Sequence, residues 1–147
     1  MENPNAENQR EFEAILEAME RYREELPQLN AQLNLVTTSL SEHLIARETI
    51  KNYEKVEEGT EVLVPIGGNV HIKSVASHDR KVIIGIGAGY TMEKSVEKCV
   101  EMLNKRIEEL EKGRERMSNN IKAMESKMRE LSNRAETLAR GMQGVFG

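Results

Sequence analysis

The stretch KVIIGIGAGYTMEKS, residues Lys81–Ser95, decides the fold because its three closely spaced glycines fit two different structures. The first is a phosphate-binding loop, and the second is the bend of a β-hairpin. A dinucleotide-binding fingerprint enters its helix directly and is followed by an acidic residue about 20 positions later, at the end of the next strand. Here Tyr90–Lys94 intervene, a long helical pattern follows, and the Gly-Lys-Ser/Thr of a P-loop is missing from the stretch. We therefore predict a hairpin bend.

A second strand pair precedes this one. EVLVPI (Glu61–Ile66) and VHIKSVA (Val70–Ala76) are short and rich in β-branched residues, and a Gly-Gly-Asn turn separates them. Glycine supplies the positive φ angles that tight hairpin turns require. Pro65 cannot donate a ladder hydrogen bond, which favours an edge position or a bulge at that point. The sequence therefore predicts two successive hairpins with four structural turn glycines: Gly67, Gly68, Gly87 and Gly89.

Long helical patterns flank the hairpins. Alternating steps of three and four from Phe12 reach twelve positions up to Ile50, of which ten are apolar, and fifteen positions from Val96 to Val145, of which only Arg114 is polar. This spacing is the heptad seam of a coiled coil. Ser95 stands where a helix N-cap is expected.

Three positions interrupt this regularity. Pro27 either kinks the first helix or starts a new one. His43 is either a buried polar residue that fixes the register, or the apolar stripe shifts to Leu44 and His43 turns toward solvent. Gly113 is a weak point, costing about 1 kcal/mol relative to alanine.

We predict a single α+β domain, mostly α, over residues 1–147. Its parts are a helix over 8–55, two hairpins over 60–94 and a helix over 95–146, with each helix about 70 Å long at 1.5 Å per residue. Folding the helices back on each other as an antiparallel coiled coil places Ile50 near Val96, and Phe12 near Leu138. The strands leave open edges, which normally must be paired or covered. The sequence therefore predicts partner subunits.

Composition limits the function. The chain has 147 residues, a net charge of −4, 3% aromatic residues and no Trp, and its pI is near 5.5. An acidic chain is not expected to bind nucleic acid, and no apolar run is long enough for a membrane span. Cys99 is alone, and His43, His71 and His78 lack metal-ligand spacing. We expect a cytoplasmic protein that is not an enzyme and uses no cofactor or metal.

Several apolar residues lie off the seam. Near the hairpins these are Leu44, Ile45 and Met102, which we expect to pack on the hairpins or on a neighbouring subunit. Near the two chain ends, Leu16 and Phe146 accompany the last seam residues. That end is either an ordinary coil end or an adaptable apolar surface for partners. The candidate surface comprises Phe12, Ile15, Leu16, Leu138, Met142, Val145 and Phe146.

The helix–two hairpins–helix order, with EEGTEVLVPIGGNVHIK (Glu57–Lys73) and KVIIGIGAGYTMEKSVEKCVEML (Lys81–Leu103), resembles the α-class subunits of the prefoldin family over essentially the whole chain. Pro27 departs from the uninterrupted helix expected of that family. The resemblance implies a hexamer of two α and four β subunits, in which the hairpins form a double β-barrel. It also implies that the coil tips capture unfolded or nascent polypeptides and deliver them to a group II chaperonin without ATP. The hairpin residues expected to join subunits are Val62, Val64, Ile66, Val70, Ile72, Val82, Ile84, Ile86 and Tyr90.

The alternative is a scaffolding coiled coil that binds one fixed protein partner. Capture of unrelated unfolded proteins would separate the two functions.

Overall fold

The computed structural model describes residues 3–77 and 79–144. Helix α1 (Pro4–Tyr53) is followed by strands β1 (Glu61–Gly67), β2 (Val70–Val75), β3 (Lys81–Gly87) and β4 (Tyr90–Ser95), and then by helix α2 (Val96–Gln143). The predicted order of helix, two hairpins and helix is therefore confirmed. Neither helix is apolar enough along its described length to cross a membrane.

The two hairpins have the same geometry, offset by twenty residues. In hairpin 1 (β1–β2) Pro65 pairs with His71 and Gly67 with Val70, so Ile66 is a bulge; in hairpin 2 (β3–β4) the pairs are Gly85 with Thr91 and Gly87 with Tyr90. The bulge predicted as one option at Pro65 is present. All four predicted turn glycines have positive φ, as do Asn69 and Ala88. The same turn pattern therefore gives the same hairpin geometry at both places in the chain.

The chain forms two compact units, and each helix contributes to both. The terminal unit comprises residues 1–38 and 112–147, and the hairpin unit comprises residues 39–111. In the hairpin unit the end of α1 packs against the start of α2, since Ala46 and Ile50 contact the cluster of Ile84, Cys99 and Leu103. In the terminal unit the start of α1 packs against the end of α2. Within each unit the helices are therefore antiparallel, as predicted.

The predicted seam of α1 is correct throughout, because every seam residue from Phe12 to Ile50 is buried or half-buried. In α2 the prediction is wrong at one position. Gly113 is half-buried and Arg114 is exposed, so the seam passes through Gly113. The spacing 110–113–117 contains one step of three and one of four, as does 110–114–117. With the first spacing the Arg114 side chain faces solvent.

Two irregular positions of α1 and the start of α2 are also defined. Helix α1 continues through Pro27, so the alternative of a fresh helix start at that residue does not occur. His43 and Leu44 are both half-buried, and the His43 Nδ1 lies 2.6 Å from the Ser39 carbonyl oxygen. The Lys98 amide donates to Ser95 Oγ at 3.2 Å, which confirms Ser95 as the N-cap of α2.

Candidate interaction surfaces

Hairpin 2 packs on the helices of its own chain. Ile84 is only 6% exposed and lies in a cluster with Cys99 and Leu103, against which Val82 and Met102 also pack. The Arg106 Nη2 donates to the Gly85 carbonyl at 2.6 Å and ties α2 to the bulge of β3. Met102, which was expected to pack on the hairpins or on a neighbouring subunit, thus lies against the cluster that contains Ile84 of hairpin 2. Ile84 and, in part, Val82 are therefore already covered within the chain.

Hairpin 1 lacks such cover. Every residue of β2 is exposed, and in β1 only Val62 is half-buried. Val64, which occupies the position equivalent to Ile84, is 44% exposed. The other large apolar side chains that both hairpins leave exposed are Leu63, Ile66, Val70, Ile72, Val75, Ile83, Ile86, Tyr90 and Met92.

The residues predicted to join subunits thus fall into two groups. Val62, Val82 and Ile84 are partly or fully buried within the chain. The remaining six are exposed: Val64, Ile66, Val70, Ile72, Ile86 and Tyr90. Exposed contiguous apolar surface of this kind marks interaction sites.

Hairpin 1 is fixed to the helices mainly at its open end. The Tyr53 hydroxyl donates to the Ser77 carbonyl at 2.6 Å and accepts from the Ser77 amide at 3.2 Å. Next to this contact, Ala76 is buried, and its amide donates to the Thr60 carbonyl at 2.9 Å. These bonds hold the base of the hairpin and leave its strands open on both faces.

The terminal unit contains the second predicted surface. Its core is the terminal cluster, which we define as the buried residues Ile15, Ala135 and Leu138 with Phe12, Met19 and Leu131 packed against them. Ile15 is 7% exposed and Leu138 is 5% exposed, whereas Leu16 is 47% exposed. Met142 is half-buried. Val145 and Phe146 lie outside the described residues, as does His78.

An ion pair joins the two helices beside this cluster. Arg134 Nε donates to Glu11 Oε1 at 2.7 Å and Arg134 Nη2 donates to Glu11 Oε2 at 2.9 Å, a bidentate arrangement. These hydrogen bonds, which Arg134 donates and Glu11 accepts, lower the pKa of Glu11 and raise the pKa of Arg134. Because the pKa of Glu11 is lowered, its contribution to stability is present above the ordinary glutamate pKa and is lost as the pH falls through the lowered value.

One exposed residue and this ion pair were not predicted from the sequence. Leu35 on α1 is exposed and was not singled out. Ile45, which was expected to pack on the hairpins or on a neighbouring subunit, is exposed within this chain. Both residues lie off the seam spacing, which is the signal that identifies outward-facing leucines and isoleucines. Glu11 and Arg134 are 123 positions apart, so no local pattern connects them.

The described residues contain no group of three His, Cys, Asp or Glu residues placed to hold a metal ion. Burial raises the pKa of the Cys99 thiol, which favours the unreactive protonated form, and the nearby charge of Arg106 opposes that shift. A shallow groove in the hairpin unit is lined by Glu42, His43, Ala46, Leu103 and Arg106.

Comparison with known proteins identifies the family. The family model described as "Prefoldin subunit" matches residues 22–141. The prefoldin α subunit of Thermofilum pendens is 33% identical over 104 residues, covering 71% of this chain and 81% of that protein. Those of Pyrococcus horikoshii and Methanocorpusculum labreanum are 27% identical over 132 residues (89% of each chain) and 26% identical over 117 residues (80% of each chain).

A solved structure agrees in fold. The cryo-EM structure of filamentous PFD from Methanocaldococcus jannaschii superimposes with a TM-score of 0.50 at 22% identity, covering 84% of this chain and 97% of that one. A match at this level of identity supports the fold alone. The family model covers most of the sequence. The chain belongs to the prefoldin family, and the relatives named above are prefoldin α subunits.

Proposed function

We propose that this chain is a subunit of a co-chaperone that captures non-native proteins at the ends of its helices. In this proposal two such chains assemble with four β subunits, and the hexamer delivers its clients to a group II chaperonin without ATP. The observation that supports the capture step is the exposed side chain of Leu16, which directly follows Ile15 of the terminal cluster.

The assembly step is supported by the hairpins. Ten of the thirteen exposed large apolar side chains in the described residues lie on their strands. An isolated two-stranded hairpin is marginally stable in water, and its open edges require pairing. Joining the hairpins of several subunits into a closed barrel covers both the edges and the apolar side chains.

In the proposed mechanism the client is held by weak contacts at several helix ends, so its release does not require ATP. At roughly 25 cal/mol per Å², a contact of a few hundred Å² contributes several kcal/mol before ordering costs. Several such contacts on one platform raise the effective concentration of each further contact, so a client is held tightly in total. Because each contact is weak, a chaperonin surface can replace the contacts one at a time.

The function is tested by suppression of aggregation. The chain is assembled with prefoldin β subunits, and several unrelated, chemically unfolded proteins are diluted into the complex. We expect aggregation of each to be suppressed at near-stoichiometric amounts. Suppression limited to one protein would favour the scaffolding alternative, and no suppression by a correctly assembled complex would contradict the proposal.

A matched pair of variants locates the capture surface. Leu16 and Leu35 both lie on α1 in the terminal unit, and they are 47% and 72% exposed. Exposed positions tolerate substitution within about 0.5 kcal/mol, so Leu16→Ser and Leu35→Ser are both expected to fold normally. We expect Leu16→Ser to weaken capture and Leu35→Ser to leave it unchanged, although Leu35 is the more exposed of the two.

A further inference from the structure

Most of the apolar surface assigned to capture is hidden within the terminal unit. Ile15 and Leu138 are buried against each other's helix, and Phe12 packs on the same cluster. A client that meets this structure touches Leu16 but cannot reach Ile15 or Leu138. Access to those two side chains requires the start of α1 to separate from the end of α2.

Electrostatic attraction opposes separation of the start of α1 from the end of α2. The Glu11–Arg134 pair makes two hydrogen bonds between the helices, and its members immediately precede Phe12 and Ala135 of the terminal cluster. The other charged residues of these two segments also favour their association. Residues 4–26 carry seven acidic and three basic side chains, whereas residues 122–143 carry five basic and three acidic ones. The start of α1 and the end of α2 therefore attract each other when they lie side by side.

We propose that the Glu11–Arg134 ion pair acts as a clamp that holds the terminal cluster closed, so that client capture is limited by opening of the clamp. This inference rests on the proposed function. It assigns to the two residues a regulatory role without contact to the client. The clamp predicts the direction of the change in client capture: loss of either charge increases it.

The size of the effect follows from the exposure of the pair. The side chains of Arg134 and Glu11 are 51% and 40% exposed, so water and salt screen their attraction. Exposed pairs of this kind shift an equilibrium by at most about fivefold. The terminal cluster itself remains the larger barrier, and the unit is expected to stay folded in the variants.

The test uses the hexamer assembled with β subunits and four variants of this chain. Glu11→Gln and Arg134→Gln each remove one charge, and the double variant Glu11→Arg/Arg134→Glu restores the pair with its polarity reversed. Arg23→Gln is the control, because it removes an ion pair with Glu20 that lies within α1. Two quantities are measured: the amount of an unfolded model protein captured, and the amide hydrogen exchange of Ile15 and Leu138 without client.

We expect both single variants to raise capture and amide exchange about two- to fivefold. The reversed pair is expected to return both quantities toward those of the unmodified chain, and Arg23→Gln to change neither. Single variants that capture the same amount or less overturn the clamp, as does a reversed pair that behaves like the single variants.

The same experiment separates the clamp from the proposed function. If the unmodified complex captures clients and Leu16→Ser weakens capture, but the charge variants have no effect, only the clamp is wrong. If the unmodified complex captures nothing while amide exchange still rises in the single variants, the clamp exists and the capture function is wrong.

Discussion

Hairpin 1 and hairpin 2 have the same register and the same bulge position, yet they differ in what covers them. Ile84 of hairpin 2 is 6% exposed, whereas Val64 at the equivalent position of hairpin 1 is 44% exposed. Chain connection explains the difference. Strand β4 ends at Ser95 and α2 begins at Val96, so hairpin 2 continues directly into the helix on which it packs. Residues 54–60 and 76–80 separate hairpin 1 from its neighbours.

Local sequence therefore specifies the hairpin, and chain connection specifies its burial. Hairpin 2 contributes Ile84 to the core of its own chain. The strands of hairpin 1 are almost entirely exposed. The two copies of one local structure therefore differ in anchoring, and under the proposed function the exposed copy is the one available for association.

The largest expected difference between the hairpins comes from a buried charge. Ile84→Asp places a carboxylate in the apolar cluster around Cys99, where Arg106 can offset its charge only in part because that guanidinium already binds the backbone of β3; such a buried charge typically costs roughly 3–5 kcal/mol. Val64→Asp lies at an exposed position and is expected to change the stability of the separate chain by less than about 0.5 kcal/mol. Thermal unfolding followed by circular dichroism measures both.

Assembly is expected to respond differently to these two variants. Val64→Asp should fold normally but associate poorly with β subunits in native mass spectrometry, because a charge then lies on the surface that the proposed assembly covers. An equal loss of stability in both variants, or normal assembly of Val64→Asp, would remove the distinction between the hairpins.

Replacing a turn glycine is expected to destabilise the chain less than burying a charge does. Gly67 and Gly87 have φ angles of 102° and 111°, a region that β-branched residues avoid. Replacing either by Val is expected to cost about 1–3 kcal/mol. Hairpin 2 can offset this strain through its contacts with α2, but hairpin 1 cannot. We therefore expect Gly67→Val to abolish protection of hairpin 1 amides from hydrogen exchange, and Gly87→Val only to reduce that of hairpin 2. Equal loss in both would contradict unequal anchoring.

Substitutions at the middle turn residues are expected to change hairpin stability least, and the two changes have opposite signs. Gly68 and Ala88 occupy equivalent positions at φ 56° and 49°. A left-handed conformation costs a residue with a Cβ atom roughly 1 kcal/mol. Gly68→Ala is therefore expected to destabilise hairpin 1, and Ala88→Gly to stabilise hairpin 2, each by about that amount. Amide exchange of the flanking strands measures both changes. A destabilising Ala88→Gly would show that this alanine is not strained.

Much of this architecture could be predicted because its determinants are local. The Gly-Gly-Asn and Gly-Ala-Gly turns specify the hairpins, and the seam from Phe12 to Ile50 specifies the buried face of α1. The seam error at Arg114 arose because glycine carries no hydropathy signal, so Gly113 was passed over.

Burial and pairing across the chain could not be predicted in the same way. Periodicity identifies the face of an element that is buried but not the element that covers it. It therefore could not show that Ile84 packs within its own subunit while Val64 stays open. Nor could it show that Glu11 lies against Arg134. These features depend on which distant segments meet.

The most direct test of unequal anchoring uses the thiol that hairpin 2 covers. Cys99 is the only cysteine of the chain and is buried against Ile84, so its rate of reaction with an aromatic disulfide reagent reports how often hairpin 2 leaves the helices. The unfolded forms of all variants provide the reference rate. Truncation of a buried isoleucine to alanine costs about 2–5 kcal/mol, which corresponds to more than tenfold in an opening equilibrium.

We expect Ile84→Ala to accelerate the reaction of Cys99 at least about tenfold, and Val64→Ala to leave the rate within about twofold of the unmodified chain. Equal acceleration by both substitutions, or no acceleration by Ile84→Ala, would contradict unequal anchoring.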